Sequence, residues 1–273
     1  MISEKTHLNI AGASIVAARI PAKTTEDLTA QAYREVRRMI VEGEVRPRQR
    51  LSHRILSRDL KIGRSPVRDA LLQLEAEGLI EHRPGSGIYL REISPQELEC
   101  LYELRIVNEP YIAGRAAVHA DVRQLATLRR ICDDIAAIAR KSDLVKWFAT
   151  LENRRRFCRL DLEFHATILE ASGNTVAVKL FSNAQVLALT FAWDLGYGSP
   201  EWFAEIVERT AAGHRDVFEA IRRRDPDAAR QKMLDHVGWA REEVPEQYAA
   251  FREREERPTA GRSARPAARP RKP

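Results

Sequence analysis

Apolar positions recur along most of the chain at the three- and four-residue spacing of helices. The alternation of strands appears in one short stretch only. Ala32, Val36, Met39 and Ile40 make a stripe that predicts a helix over residues 25–42. Ser52 is a candidate cap for a helix running to about Leu60, with Ile55, Leu56 and Leu60 on its buried side. Lys61-Ile62-Gly63 reads as a turn, with Gly63 in the left-handed region. Ser65-Pro66 then restarts the chain as cap and first helical residue. Val67, Ala70, Leu71, Leu72 and Leu74 supply the apolar side of that helix, and Gly78 stops it. Leu79–Arg83 and Ile88–Leu90 alternate as two short strands around Pro84-Gly85-Ser86-Gly87.

Beyond this segment helical periodicity takes over. Ser94-Pro95-Gln96-Glu97 is a capping box with proline at the first helical position. Helices are predicted near 95–119, 122–141, 144–171, 175–194, 200–224 and 226–243. Ser172-Gly173-Asn174, Gly196-Tyr197-Gly198-Ser199-Pro200 and Asp225-Pro226 mark boundaries. The expected fold is mostly α: an N-terminal winged helix-turn-helix followed by an all-α bundle of about six helices. The expected divisions are an arm over 1–24, the winged helix-turn-helix over 25–92, the helical bundle over 93–245, and a disordered tail over 246–273.

The order helix, turn, helix, hairpin within residues 51–90 is the layout of a DNA-reading module. Arg64 and Arg68 lie four apart, on one face at the start of the second helix. That turn enters the major groove, where arginine can fork onto guanine while its neighbours hold phosphates. A surface three-helix unit with exposed arginines would share parts of this pattern, but not all of it in order.

These residues resemble the GntR family of bacterial transcription regulators. The likeness lies in Leu60–Leu71, Leu74, Glu77-Gly78-Leu79-Ile80 and Gly85-Ser86-Gly87, and covers about residues 25–92. It implies that Arg54, Arg64, Ser65 and Arg68 meet operator DNA, with Gly85 at the wing. His53 departs from the acidic residue usual at its place.

Charge adds little to this. The formal net charge of +6 equals the six basic residues between Arg257 and Pro273, a stretch with no acidic ones. A high pI therefore does not itself argue for DNA binding; the placement of the arginines does. The tail, rich in Pro, Ala and Arg, could add nonspecific phosphate contacts or simply be solvated. No apolar run approaches the roughly 20 residues of a membrane helix. Cys100, Cys132 and Cys158 are odd in number and widely spaced, which fits a reducing cytoplasm and packing as small apolar residues.

In the predicted bundle, Asp161 and His165 share a helix face beside Phe164 and Ile168. His214 sits with Val217, Phe218 and Ile221 on its stripe, and His236 between Leu234 and Val237. Taken singly, each histidine reads as a packed core residue. Together, one carboxylate and three imidazoles could hold a divalent metal such as Zn, Ni, Mn or Fe. Residues 95–243 resemble the FCD effector domain of the FadR-type branch, through Leu104-Arg105, Glu109, Asp161–His165, Ser172–Asn174, His214 and Asp225–His236. In metal-binding members an Asp and three His hold a metal that binds a small carboxylate effector, so the resemblance implies Asp161, His165, His214 and His236 as ligands. Arg105 would pair with the effector carboxylate, or else with Glu109. Asn174 is a pocket hydrogen-bonder or a helix-end residue, and Asn108 departs from the usual apolar residue.

The function these readings imply is a homodimeric regulator on a pseudo-palindromic operator, repressing until a metabolite releases it. A repressor that senses the metal itself is one alternative. A metalloenzyme fused to a DNA-binding module is the other, weakened because Glu163 points away from the Asp161–His165 face.

Overall fold

The segment over residues 50–90 folds as its pattern predicts, into a winged helix-turn-helix with one strand more than the pattern shows. In the computed structural model, which describes residues 28–45, 49–192 and 199–256, α1 spans Leu28–Val41, α2 His53–Leu60 and α3 Arg64–Ala76. Strands β2 (Ile80–Arg83) and β3 (Gly87–Leu90) form the hairpin, and β1 (Arg50–Leu51) pairs with β3 from the other side. The order is β1-β3-β2, antiparallel throughout, with Arg50 opposite Tyr89. Two residues cannot carry a period of two, so β1 left no pattern to read.

The module's core is small and aliphatic. Ala32, Val36 and Ile40 of α1 pack with Val67, Ala70, Leu71 and Leu74 of α3, all essentially inaccessible. Each such Val, Leu or Ile contributes about 1.5–3 kcal/mol by leaving water. Ile55 and Leu72, expected on buried sides, are exposed instead; α2 meets the core through buried Leu56 and half-buried Leu60.

Two local expectations are corrected. The left-handed residue of the turn is Lys61 (φ 56°), which closes α2 by donating to Ser57 and Arg58 carbonyls. Gly63 has φ −56° and is the N-cap of α3, so that helix starts at Arg64 rather than after Ser65. Pro66 then falls in the first turn, where backbone N–H groups have no helical acceptor to lose. The Ser65 hydroxyl is exposed and not used as a cap.

The bundle comprises α4 (Pro95–His119), α5 (Val122–Ala139), α6 (Leu144–Phe148), α7 (Leu151–Ala171), α8 (Thr175–Ala192), α9 (Pro200–Arg222) and α10 (Pro226–Glu256). The capping box at Ser94 forms in full, with Ser94 and Glu97 satisfying each other's backbone N–H. The single helix expected over 144–171 divides at Thr150, which caps α7 by accepting from Asn153 N. Asp225 caps α10 through Ala228 N at 2.9 Å.

Helix α10 does not stop near residue 243. It continues through Pro245 to Glu256, so residues 246–256 are helix rather than tail. Packing explains the overrun: Val244 and Tyr248 are buried, and the Tyr248 hydroxyl donates to the Ile93 carbonyl at 2.9 Å. The arm over 1–24, the loop at Gly196-Tyr197-Gly198 and the basic tail from Arg257 onward lie outside the described residues. Cys132 and Cys158 are buried, and burial pushes the Cys132 thiol up to about 12; Cys100, expected to pack, is exposed.

Candidate metal centre and DNA-binding face

Four helices converge at the middle of the bundle, and each brings chemistry. Asp161 and His165 sit one turn apart on α7, His214 on α9 and His236 on α10, and one ligand atom from each lies within 4.8 Å of all the others. The donor nitrogens facing inward are the Nε2 atoms. His214 Nε2 is 3.3 Å and His165 Nε2 3.7 Å from Asp161 Oδ1, and His236 Nε2 is 3.4 Å from His165 Nε2. Bonds of about 2.0–2.2 Å to a shared ion can span such separations.

Surroundings fix each ring. Phe164 stacks on His214 at 3.7 Å between ring centres, and His165 and His236 lie nearly parallel at 5.4 Å. His214 is fully buried, and neither of its ring nitrogens has an aligned hydrogen-bond partner. An imidazole buried in this way is costly unless something takes its lone pair. Burial pushes the His214 pKa down to about 4, overcoming the pull of Asp161, and burial, aided by the crowding of titratable neighbours, takes His236 well below its usual value. Both rings are therefore neutral at pH 7, the state a ligand needs. Burial would raise the Asp161 carboxyl, but the contact to His214 and the nearby His165, His214 and Arg105 outweigh it and hold the group well below its usual range. Its side chain is one-third exposed, so the cluster opens to solvent on this side.

α4 supplies the fourth wall. Arg105 Nε donates to Glu109 Oε1 at 2.7 Å, while its Nη2 lies 3.3 Å from His165 Nε2. The two readings of Arg105 are thus both realised: it is paired with Glu109 and it stands at the edge of the cluster. Glu109 Oε2 lies 2.7 Å from His165 Nδ1, close but without the alignment of a hydrogen bond. A proton on Nδ1 turned to that carboxylate leaves Nε2 free for an ion. Burial raises the Glu109 carboxyl, yet Arg105 and His165 together hold it far below normal. Tyr102 completes the wall; its ring lies under the Arg105 guanidinium at 4.9 Å, and burial pushes its pKa up to about 12. Sequence reasoning missed Tyr102 and saw Glu109 only as a partner for Arg105. The signal was present: residues 102, 105 and 109 share one helix face.

Asn174 is used at a helix end. Its Oδ1 accepts from Ala177 N at 3.0 Å at the start of α8. Asn108 folds back to donate to the Leu104 carbonyl on its own helix. Glu163 pairs with Arg130, away from the cluster.

On the winged domain, Arg54 on α2, and Arg64, Ser65 and Arg68 on α3, are all exposed. The three arginines make no ion pair among the described residues, so their charge is available to an outside anion. Gly85 is exposed at the hairpin tip with φ +72°, a conformation only glycine adopts cheaply. His53 is the exposed first residue of α2.

A winged helix-turn-helix with a bare arginine face, joined to a helical bundle with a ligand-type cluster, defines a DNA-binding transcription regulator. The family comparisons agree. Residues 28–90 match the gntR family of bacterial regulatory proteins and residues 100–238 the FCD domain, so the chain belongs to the GntR family, in the branch that carries an FCD domain. The chain is 28% identical over 215 residues to the HTH-type transcriptional repressor RspR of Escherichia coli K12, covering 78% of this chain and 87% of that one. It is 26% identical over 215 residues to the HTH-type transcriptional regulator LutR of Bacillus subtilis, covering 73% and 93%. Among solved structures, E. coli McbR/YncC aligns with a TM-score of 0.64 at 18% identity, over 82% of this chain and all of that one, a likeness of fold. No helix among the described residues is long and apolar enough to cross a membrane.

Proposed function

We propose that this regulator is a homodimeric repressor whose operator affinity is set by a small carboxylate held at a divalent metal, with zinc the first candidate. The observation that carries the reading is the meeting of Asp161 with three inward Nε2 atoms, one on a fully buried ring that makes no aligned hydrogen bond. Asp161, His165, His214 and His236 would hold the ion. When bound, it would act as a Lewis acid toward a carboxylate oxygen. Arg105, always charged and already oriented by Glu109 and Tyr102, would pair with the same carboxylate.

Arg54, Arg64, Ser65 and Arg68 would meet the operator, with Gly85 approaching the backbone at the wing. Two copies would place their α3 helices in successive major-groove faces of a pseudo-palindromic site. The effector must bind the DNA-competent and released arrangements with different affinity, or it shifts nothing. RspR is named a repressor, and the repressor reading is carried over from it.

Metal content per protomer, measured by mass spectrometry on untagged protein purified without chelator, tests the centre. About one equivalent, lost in His165→Ala, supports it. Operator affinity of the loaded protein is then measured with and without small carboxylates. If operator affinity follows free metal alone and no carboxylate alters it, the ion itself is the signal. If no metal is taken up at all, the carboxylate effector loses its anchor and the centre is abandoned.

A further inference from the structure

The position before His214 is a glycine, although a helix interior favours alanine over glycine by about 1 kcal/mol. A Cβ at Gly213 would lie 2.6 Å from Nδ1, 3.1 Å from Cγ and 3.3 Å from Cβ of His236. The His236 side chain therefore rests directly on the backbone of α9. Its opposite edge carries Nε2, which faces His165 Nε2 at 3.4 Å. Turning the ring about its last torsion would move Nδ1 but leave Cβ and Cγ in conflict. Any retreat from α9 carries the ring toward His165 and His214, whose centres lie 5.4 and 4.8 Å away, and so shifts Nε2 relative to the other donors.

Other glycines sharpen the contrast. Gly238 is on α10, two residues after His236, and a Cβ there would meet nothing within 4 Å. At Gly114 the crowding atoms belong to the long, flexible Arg230 side chain, which can swing aside.

We infer that Gly213 is a positioning residue for the metal centre: its missing side chain is the seat in which His236 lies with Nε2 turned to the other three donors. The inference rests on the proposed reading of the cluster as a metal site. A side chain at 213 either parts α9 from α10 or swings His236 away, and in both cases one ligand leaves the set.

The test uses the full-length untagged protein and Zn²⁺, titrated against a chromophoric chelator, with Co²⁺ absorption as a second readout. Wild type is titrated first; if it takes up no Zn²⁺, the metal reading fails and this inference fails with it. With a wild-type site established, Gly213→Ala is expected to weaken Zn²⁺ binding roughly 10- to 100-fold and to change the Co²⁺ spectrum. Gly238→Ala is expected to change neither. In a His236→Ala background, Gly213→Ala should cost little further affinity, because the residue it displaces is already gone. Wild-type affinity and spectrum in Gly213→Ala overturn the inference while leaving the metal centre standing. Should Gly213→Ala fail to fold, the double variant decides. Folding regained when His236 is shortened supports the seat, whereas a double variant that still fails shows that α9 needs Gly213 for itself, and the inference is lost.

Discussion

Glu109 illustrates how much one side chain can hold together. It neutralises Arg105 through Oε1 and contacts His165 Nδ1 through Oε2, with only 5% of its side chain exposed. Glu109→Gln keeps the shape and removes the charge. The buried Arg105 guanidinium then lacks its carboxylate, a change that costs about 3–5 kcal/mol when a buried pair is broken. Denaturant unfolding of metal-free protein reads that loss, and a variant as stable as wild type would show that Asp161 suffices for Arg105. The same variant should bind Zn²⁺ roughly 10-fold more weakly, since His165 loses the anion that orients it. On the DNA side, Arg64→Ala should abolish operator binding in a mobility-shift assay while leaving metal uptake unchanged; normal operator binding would mean that the recognition helix is misplaced. Of the four residues in the cluster, the apolar helical stripes made the burial of His165, His214 and His236 legible, whereas their meeting with Asp161 was implied only by the resemblance to the FCD domain, because spacing within one helix cannot say which helices touch. Tyr102 was not legible, because an aromatic residue on a helix face reads as ordinary core until the arginine over it is seen.

Elements were predicted best where caps speak and worst where packing overrules them. The range 95–119 was legible because a capping box opens α4. For α10, Pro245 and the polar run after it argue for a stop. The helix continues because its extension has a surface to cover: Tyr248 bonds the Ile93 carbonyl, and Arg252 pairs with Glu92. Residues 91–94 are the strand-to-helix link between wing and bundle, so the extension braces the joint between domains. Tyr248→Phe leaves that buried carbonyl without a partner and should cost about 1–3 kcal/mol. The sharper readout is local: amide hydrogen exchange at residues 91–94 should quicken in the variant more than exchange within α4. Equal change in both would make Tyr248 a general core residue rather than a brace.

Across the molecule, contacts among the described residues join the candidate cluster to the winged domain. α7 carries Asp161 and His165 and packs on α8, whose Ser182 carbonyl and Asn183 Oδ1 accept from Arg37 of α1 at 3.4 and 3.1 Å. A second joint is the braced link at residues 91–94. Because folding holds His214 and His236 neutral and Asp161 and Glu109 ionised, the state of the cluster is tied to pH in a direction that can be worked out. Unfolded histidine takes a proton near pH 6.5, whereas His214 resists protonation until about pH 4 and His236 also titrates well below its usual value. Between these limits the unfolded chain binds more protons than the folded one, so folding stability rises with pH and is lost as pH falls. Asp161 and Glu109, both held below their usual range, extend the loss to lower pH. Metal binding runs the same way, because protons compete for the same nitrogens. Thermal melts at pH 7 and pH 5 should therefore show a lower Tm for metal-free protein at pH 5 and a smaller gain on adding Zn²⁺. His214→Ala should flatten part of the first slope, since it removes a group that folding keeps deprotonated. A metal-free Tm that rises toward pH 5 would mean that the rings fold protonated, and a cluster of imidazolium groups could not receive a cation.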